Sequence, residues 1–226
     1  MLSGRDLIRG AGWGLLDSDG NPKAALTVVA RTWMPVAVVV SDNGLSGIRI
    51  DIHNDSASPR SGELRLVTTN HVGVAIEGTH RVTVPPASSL TLTDADVSGH
   101  FRDLSHAFRF GPPAADAVHA EVTLDDGTSI HDVLIVNPRP FQAASAVCAV
   151  VMRETADRWI LELTSSVALR YVEIDAPGWS LSDNYFHVAA TVPYTVILVR
   201  HDGGEFPTGT VGSIDLVAPT VLSVRS

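Results

Sequence analysis

Toward the end of the sequence, Ser182-Asp183-Asn184-Tyr185-Phe186-His187 brings a carboxylate, an amide, aromatic rings and an imidazole together, shortly after Trp179. Proteins hold saccharides with such groups, through hydrogen bonds to hydroxyls and an apolar ring against a sugar face. Trp179, Asp183, Asn184, Tyr185 and His187 are therefore candidate carbohydrate contacts. The segment also suits a structural loop. Asp183 and Asn184 would bond local backbone, Tyr185 and Phe186 would anchor the next strand, and Trp179 would cap the core.

Other chemistry has less support. Glu63, Glu77, Glu121, Glu154, Glu162, Glu173 and Glu205 fall on expected strands or their ends, and no two form a recognisable acid–base pair. No residue is assigned a catalytic role. Of the nine histidines none stands within four residues of another, whereas zinc sites usually show paired ligands at short spacing. His53, His119 and His131 are expected on strand surfaces. Asp51, His53 and Asp55 alternate along one strand face where a weak cation could sit, but a solvated face is the default. Neither a metal nor a cofactor is expected, and no nucleophile elbow, Walker loop or dinucleotide fingerprint occurs. Cys148 sits in the apolar run Val147-Cys148-Ala149-Val150-Val151 with no basic neighbour, which reads as a buried structural thiol.

The composition narrows the function classes. Twenty-five acidic against sixteen basic residues give a net charge of -9 over 226 residues. That balance repels nucleic acid and anionic lipid. No stretch approaches the roughly 20 apolar residues of a spanning helix, and the first ten residues lack the core of a signal peptide. A soluble, cytoplasmic chain that binds neither nucleic acid nor membrane is the expectation.

The elements that would carry these residues are strands. Ile48, Ile50 and Ile52 alternate with Arg49, Asp51 and His53, and Leu64 and Leu66 repeat the pattern of one buried and one wet face. Further strands are expected at 81–84, 90–92, 107–110, 118–124 and 130–136, with a hairpin turn at Asp125-Asp126-Gly127. The prolines of Asn137-Pro138-Arg139-Pro140-Phe141 interrupt the series. It resumes at 146–152, 159–164, 169–174, 185–188, 194–200 and 210–217. This spacing predicts an all-β chain of two immunoglobulin-like antiparallel β-sandwiches in tandem, preceded by one short N-terminal helix. The first sandwich would span 35–136 and the second, smaller one 143–226, joined by a linker at 137–142.

Residues 1–34 differ. Asn21 can cap a helix, Pro22 suits its first turn, and Leu26, Val29, Ala30 and Trp33 then share one face before Pro35. One short apolar-faced helix needs a surface to pack on.

Gly10-Ala11-Gly12-Trp13-Gly14-Leu15-Leu16-Asp17, followed by Asp19-Gly20-Asn21-Pro22-Lys23-Ala24-Ala25, resembles the end of the catalytic (β/α)₈ barrel in β-mannosidases of glycoside hydrolase family 2. Gly99-His100-Phe101-Arg102-Asp103-Leu104, Phe108-Arg109-Phe110-Gly111-Pro112-Pro113, and Pro177-Gly178-Trp179 through His187 are similar to the family's C-terminal region. The resemblance implies that 1–34 is the remnant of a barrel end and that two sandwiches follow it. Retaining glycosidases work with two carboxyl groups about 5 Å apart, and the resemblance implies that both are glutamates on barrel strands upstream of anything present here. Arg5-Asp6 stands where the family has Asn-Asp, and Ile8-Arg9-Gly10 where it has Trp-Pro-Gly, so a stacking surface for sugar is lost. Trp13 matches a family tryptophan and is expected to serve packing. The implied role is a non-catalytic accessory region of a β-mannosidase-like enzyme. Its partner would be a glycosidase barrel, as a domain or a separate chain, met through a face bearing Trp13, Leu26, Val29 and Trp33. A free-standing carbohydrate-binding module, with mannosides as ligands, is the alternative.

Overall fold

The computed structural model describes residues 3–10, 12–70, 72–108, 110–202 and 204–225. Ala11 and Arg109, which belong to segments carrying the resemblance, lie outside the described residues. The chain opens with two short parallel strands, β1 (Ser3–Arg5) and β2 (Gly14–Leu16), and the helix α1 (Ala24–Thr32). The helix starts later than the Asn21 cap predicts. Asn21 instead binds the Asp17 carboxylate through its backbone N–H (2.8 Å) and its side chain (3.0 Å), closing a turn, so that Lys23 becomes the residue before the helix.

Two sandwiches follow, antiparallel but for one parallel pairing of residues 150–152 with 223–225 in the second. In the first, β3 (Val36–Asp42), β4 (Ile48–Asn54) and β7 (Ser88–Thr93) form one sheet in the order β3-β4-β7. The facing sheet has the order β6-β5-β8-β9, from β5 (Arg60–Asn70), β6 (Gly73–Val84), β8 (Ala117–Leu124) and β9 (Ser129–Ile135). Ile48, Ile50, Ile52, Leu64 and Leu66 are fully buried between the sheets, as their alternation requires. The Asp125-Asp126-Gly127 hairpin forms with Gly127 at φ 84°, and the Thr128 N–H donates to the Asp126 carboxylate at 3.0 Å.

A short helix, α2 (Asp94–Ser98), was not expected from the apolar pattern. Thr93 caps it reciprocally with Asp96, and Gly99 closes it in the left-handed region at φ 76°. The strand expected at 107–110 is absent from its described residues. The Asp103 carboxylate takes the Ala107 and Phe108 N–H groups at 2.7 and 3.1 Å, removing the donors a ladder would use.

In the second sandwich the sheet order β13-β15-β11-β10-β18 joins β10 (Val147–Arg153), β11 (Arg158–Ser165), β13 (Trp179–Leu181), β15 (Tyr194–Arg200) and β18 (Ser223–Arg225). The order β14-β12-β16-β17 joins β12 (Leu169–Asp175), β14 (Phe186–Val188), β16 (Thr210–Gly212) and β17 (Thr220–Val221). The expected strand 210–217 stops at Gly212 because Asp215 is pulled into the protein. Fully buried, it accepts from the Arg170 backbone at 2.8 Å and from its guanidinium at 2.7 Å.

The segment between the sandwiches is tied to both. Asn137 and Arg139 bind the nearly buried Asp116 carboxylate of the first at 2.7 and 2.9 Å, while the Gln142 N–H donates to the Asp215 carbonyl of the second at 2.7 Å. Cys148 corrects the expectation of a buried thiol. It is exposed because β10 alternates Val147 in, Cys148 out and Ala149 in. Among the described residues no helix is long and apolar enough to cross a membrane.

Leu198 is fully buried in β15 opposite Trp159 of β11, so removing its side-chain carbons costs buried apolar contacts and leaves a cavity. Leu198→Ala is expected to lower stability by about 2–5 kcal/mol in urea unfolding followed by circular dichroism.

Candidate functional site

The loop singled out by its polar and aromatic residues is a three-way joint. Asp183, between β13 and β14, receives the Arg31 Nε of α1 at 2.9 and 3.0 Å on its two oxygens, and the Tyr194 hydroxyl of β15 donates to it at 2.6 Å. The Arg31 guanidinium also donates to the Asn184 carbonyl. A carboxylate with 18% of its side chain exposed needs such partners, because desolvation without them would cost several kcal/mol. Asn184 completes the loop by acting as a strand neighbour to β12. Its amide accepts from the Ile174 N–H at 2.8 Å and donates to the Ile174 carbonyl at 3.0 Å.

The other candidates separate. Trp179 is 5% exposed and packs edge-on to Trp159 with centroids 6.4 Å apart, so no face of it is open to a sugar ring. It serves the core, as the structural reading of this loop holds. His187 accepts the Tyr171 N–H through Nδ1 at 3.1 Å, which places the proton of the neutral ring on Nε2. Tyr185 is half-buried and donates its hydroxyl to Glu173 at 3.0 Å. Asp183 and Asn184 are thus engaged in holding the loop and α1, and Tyr185 and His187 turn toward β12.

The joint extends into the first sandwich. Tyr194 stacks on Phe186 at 3.7 Å and meets His131 of β9 edge-on at 4.5 Å, and His131 stacks on His119 of β8 at 5.5 Å. Around them Val67, Ala117 and Val133 pack on Ala168, Ala189 and Val192 of the second sandwich. His119 and His131 do lie on an outward strand face, but the second sandwich covers that face. His119 is 3% exposed, corrected from a strand surface to an interface between sandwiches. Burial, followed by repulsion from His131, lowers its pKa to about 4, and its Nε2 has no hydrogen-bond partner. Burial and the Asp183 carboxylate push the Tyr194 phenol up, keeping it a donor.

Sequence reasoning missed Arg31, His119, His131 and Tyr194. Only Tyr194 left a usable signal. It shares the buried register of Val196 and Leu198, so its hydroxyl required a partner in the interior.

At the N-terminal end the order of exposure is reversed. Asp6 receives the Gly14 N–H at 2.7 Å and the Lys23 ammonium, and the hydrogen bond from Lys23 is the main cause of its lowered pKa. This ties β1, β2 and the start of α1 together. Yet no residue of α1 is buried: Leu26 and Val29 are half-buried, and Trp33 is 69% exposed. Trp13 is 88% exposed, so the expected packing role is not filled among the described residues, and Leu7 and Ile8 are also bare. The weak cation reading at Asp51 gives way to an ion pair with Arg49 at 2.7 Å and a bond from Thr91 at 2.5 Å. Among the described residues no three His, Cys, Asp or Glu side chains gather around a point that could hold a metal.

No protein-family model matches the sequence, and no curated protein is a significant sequence match. Solved structures do match. The fold is similar to part of a β-D-mannosidase from Dictyoglomus thermophilum, with a TM-score of 0.69 and 12% identity, over 95% of this chain and 26% of that one. It is also similar to part of the exo-chitosanase CsxA of Amycolatopsis orientalis, with a TM-score of 0.63 and 11% identity, over 97% of this chain and 30% of that one. The chain therefore spans less than a third of the length of either enzyme. Identities this low establish the fold alone: an arrangement of β-sandwiches like that in the matching parts of these two enzymes.

The buried His119 generates a pH dependence. Its pKa is depressed on folding, so its contribution is fully present above 6.5 and is lost as pH falls toward about 4, where the unfolded chain holds a proton that the folded chain does not. Urea unfolding across this range is expected to cost the wild type about 3 kcal/mol more than His119→Gln. Parallel pH profiles for the two proteins would contradict the assignment.

Proposed function

We propose that this chain is the non-catalytic C-terminal accessory region of a β-mannosidase-like glycoside hydrolase of family 2, and that its N-terminal unit completes a catalytic barrel. The observation that carries this reading is the bare parallel pair β1 and β2 with its helix. Parallel strands are normally covered on both faces and joined to further strands and helices. Here Leu7, Ile8, Trp13 and Trp33 stand exposed around a two-stranded remnant. A barrel, on the same polypeptide or on another, supplies the missing strands and covers those side chains.

Two further points support it. The fold likeness runs through this unit as well as both sandwiches, since it covers 95% of the chain. Three of the less exposed carboxylates of the sandwiches are also occupied in structural pairs, Asp183 with Arg31, Asp116 with Arg139 and Asp215 with Arg170. In this reading the sandwiches buttress the last barrel helix from outside the sugar site. Chemistry and specificity belong to the barrel, and the setting is the cytoplasm.

The purified chain is expected to show no turnover of an aryl β-mannoside. Hydrolysis abolished by a single Glu→Gln substitution would overturn the reading. Because Trp13 and Trp33 are 88% and 69% exposed, Trp13→Gln and Trp33→Gln are each expected to change the chain's stability by less than about 0.5 kcal/mol. A loss of several kcal/mol would place them in an internal core and remove the argument for a barrel partner.

A further inference from the structure

A cleft of about 500 Å³ opens over the outer face of β12, and the accessory role makes no use of it. Val172 and Ile174 point into the core, so Tyr171, Glu173 and Asp175 project together on the other side. Tyr185 closes one flank through its bond to Glu173, and the loop bearing Ile214 and Val217 forms the opposite wall.

The walls are held in place. A bulge separates the Leu169–Val188 and Val172–Phe186 pairs, and Tyr171 sits within it at φ 48°, while Tyr185 is at φ 54°. Tyrosine adopts this left-handed backbone only where its surroundings enforce it, and a bulge re-aims the side chain it carries. The facing loop is pinned by the buried Asp215 to Arg170, and by the Ser213 hydroxyl donating to the Arg170 carbonyl at 2.6 Å. Such fixed walls lower the ordering cost of binding.

The charge is one-sided. None of the described residues lining the cleft is basic, and Glu173 and Asp175 have no ion-pair partner among the described residues. Arg170, which precedes Tyr171 in the chain, is committed to Asp215. Together with a net charge of -9, this repels anionic ligands and attracts cations. Tyr171 is half exposed and held edge-to-face with His187, ring centroids 4.8 Å apart, and the exposed part of its ring suits either an apolar ring surface or an ammonium group.

We propose that this cleft binds an amino sugar, with a pyranose face laid on Tyr171 and the protonated amine between the carboxylates of Glu173 and Asp175. Burial and the hydrogen bond to Glu173 raise the Tyr185 phenol, so it stays a neutral donor fixing that carboxylate. The site requires nothing from the N-terminal unit and stands whether or not a barrel is completed there.

The test is calorimetric titration of the whole chain with a β-linked glucosamine tetrasaccharide at about pH 6, where the amine is charged. Binding is expected, weakening with added salt. It should fall roughly tenfold or more with the N-acetylated tetrasaccharide, with Tyr171→Ala and with the double variant E173Q/D175N. Thermal unfolding of the variants at the wild-type temperature shows that the fold is kept. Absence of binding by the wild type overturns the proposal. Equal affinity for the acetylated sugar, unchanged affinity in the variants, or equal affinity for spermidine, which carries charge without a ring, overturns it too.

Discussion

Asp183 has to be neutralised where it stands. It lies between two strands of the second sandwich with most of its side chain out of water, and the groups that satisfy it come from distant parts of the chain: Arg31 from the N-terminal helix and Tyr194 from β15. Such a partly buried pair contributes less to net stability than its short distances suggest, because desolvation offsets much of the attraction. Its effect is on geometry. The carboxylate can be paired only when α1 lies against the second sandwich with Arg31 turned inward. Tyr194, held by the same carboxylate, carries the arrangement on to His131 and His119 in the first sandwich.

This joint explains why a helix with no buried residue has a defined place. In water a nine-residue helix is marginal alone. Here its polar anchor is satisfied by the second sandwich, while Leu26 and Val29 are only half-buried and Trp33 is left outward. The two sandwiches are joined differently, by small apolar side chains closing over the outer face of β8 and β9, with each end of the connecting segment strapped by a buried aspartate. The result presents one bare apolar end, at Leu7, Ile8, Trp13 and Trp33, and one acidic, aromatic cleft on β12. These surfaces have opposite chemistry and suit different partners.

Much of the β architecture was legible in the sequence because strand burial has a period of two that a single strand displays. Ile48, Ile50 and Ile52 announce their own environment, as do Leu64 and Leu66. Three kinds of feature were hidden. Local backbone capture by side chains, as at Asp103 and at Thr93 with Asp96, removed one expected strand and added a helix. Within an apolar run, period-two alternation exposed Cys148. Long-range pairing was the largest gap. The segment at Asp183 was recognisable as rich in polar and aromatic groups, but its partner Arg31 lies 152 positions away, and nothing local distinguishes that arginine from a solvated one. His119 likewise reads as a surface residue until a second sandwich is placed over it.

The central claim, that Arg31 latches the N-terminal helix to the second sandwich, is tested most directly by amide hydrogen exchange at residues 28–33 in the wild type and in Arg31→Gln. Glutamine keeps the helix propensity, and the substitution leaves the Asp183–Tyr194 bond in place. The account predicts measurable protection of these amides in the wild type and a fall of roughly tenfold or more in the variant, with protection in β11 and β15 unchanged. Equal protection in the two proteins, or none in the wild type, would contradict it.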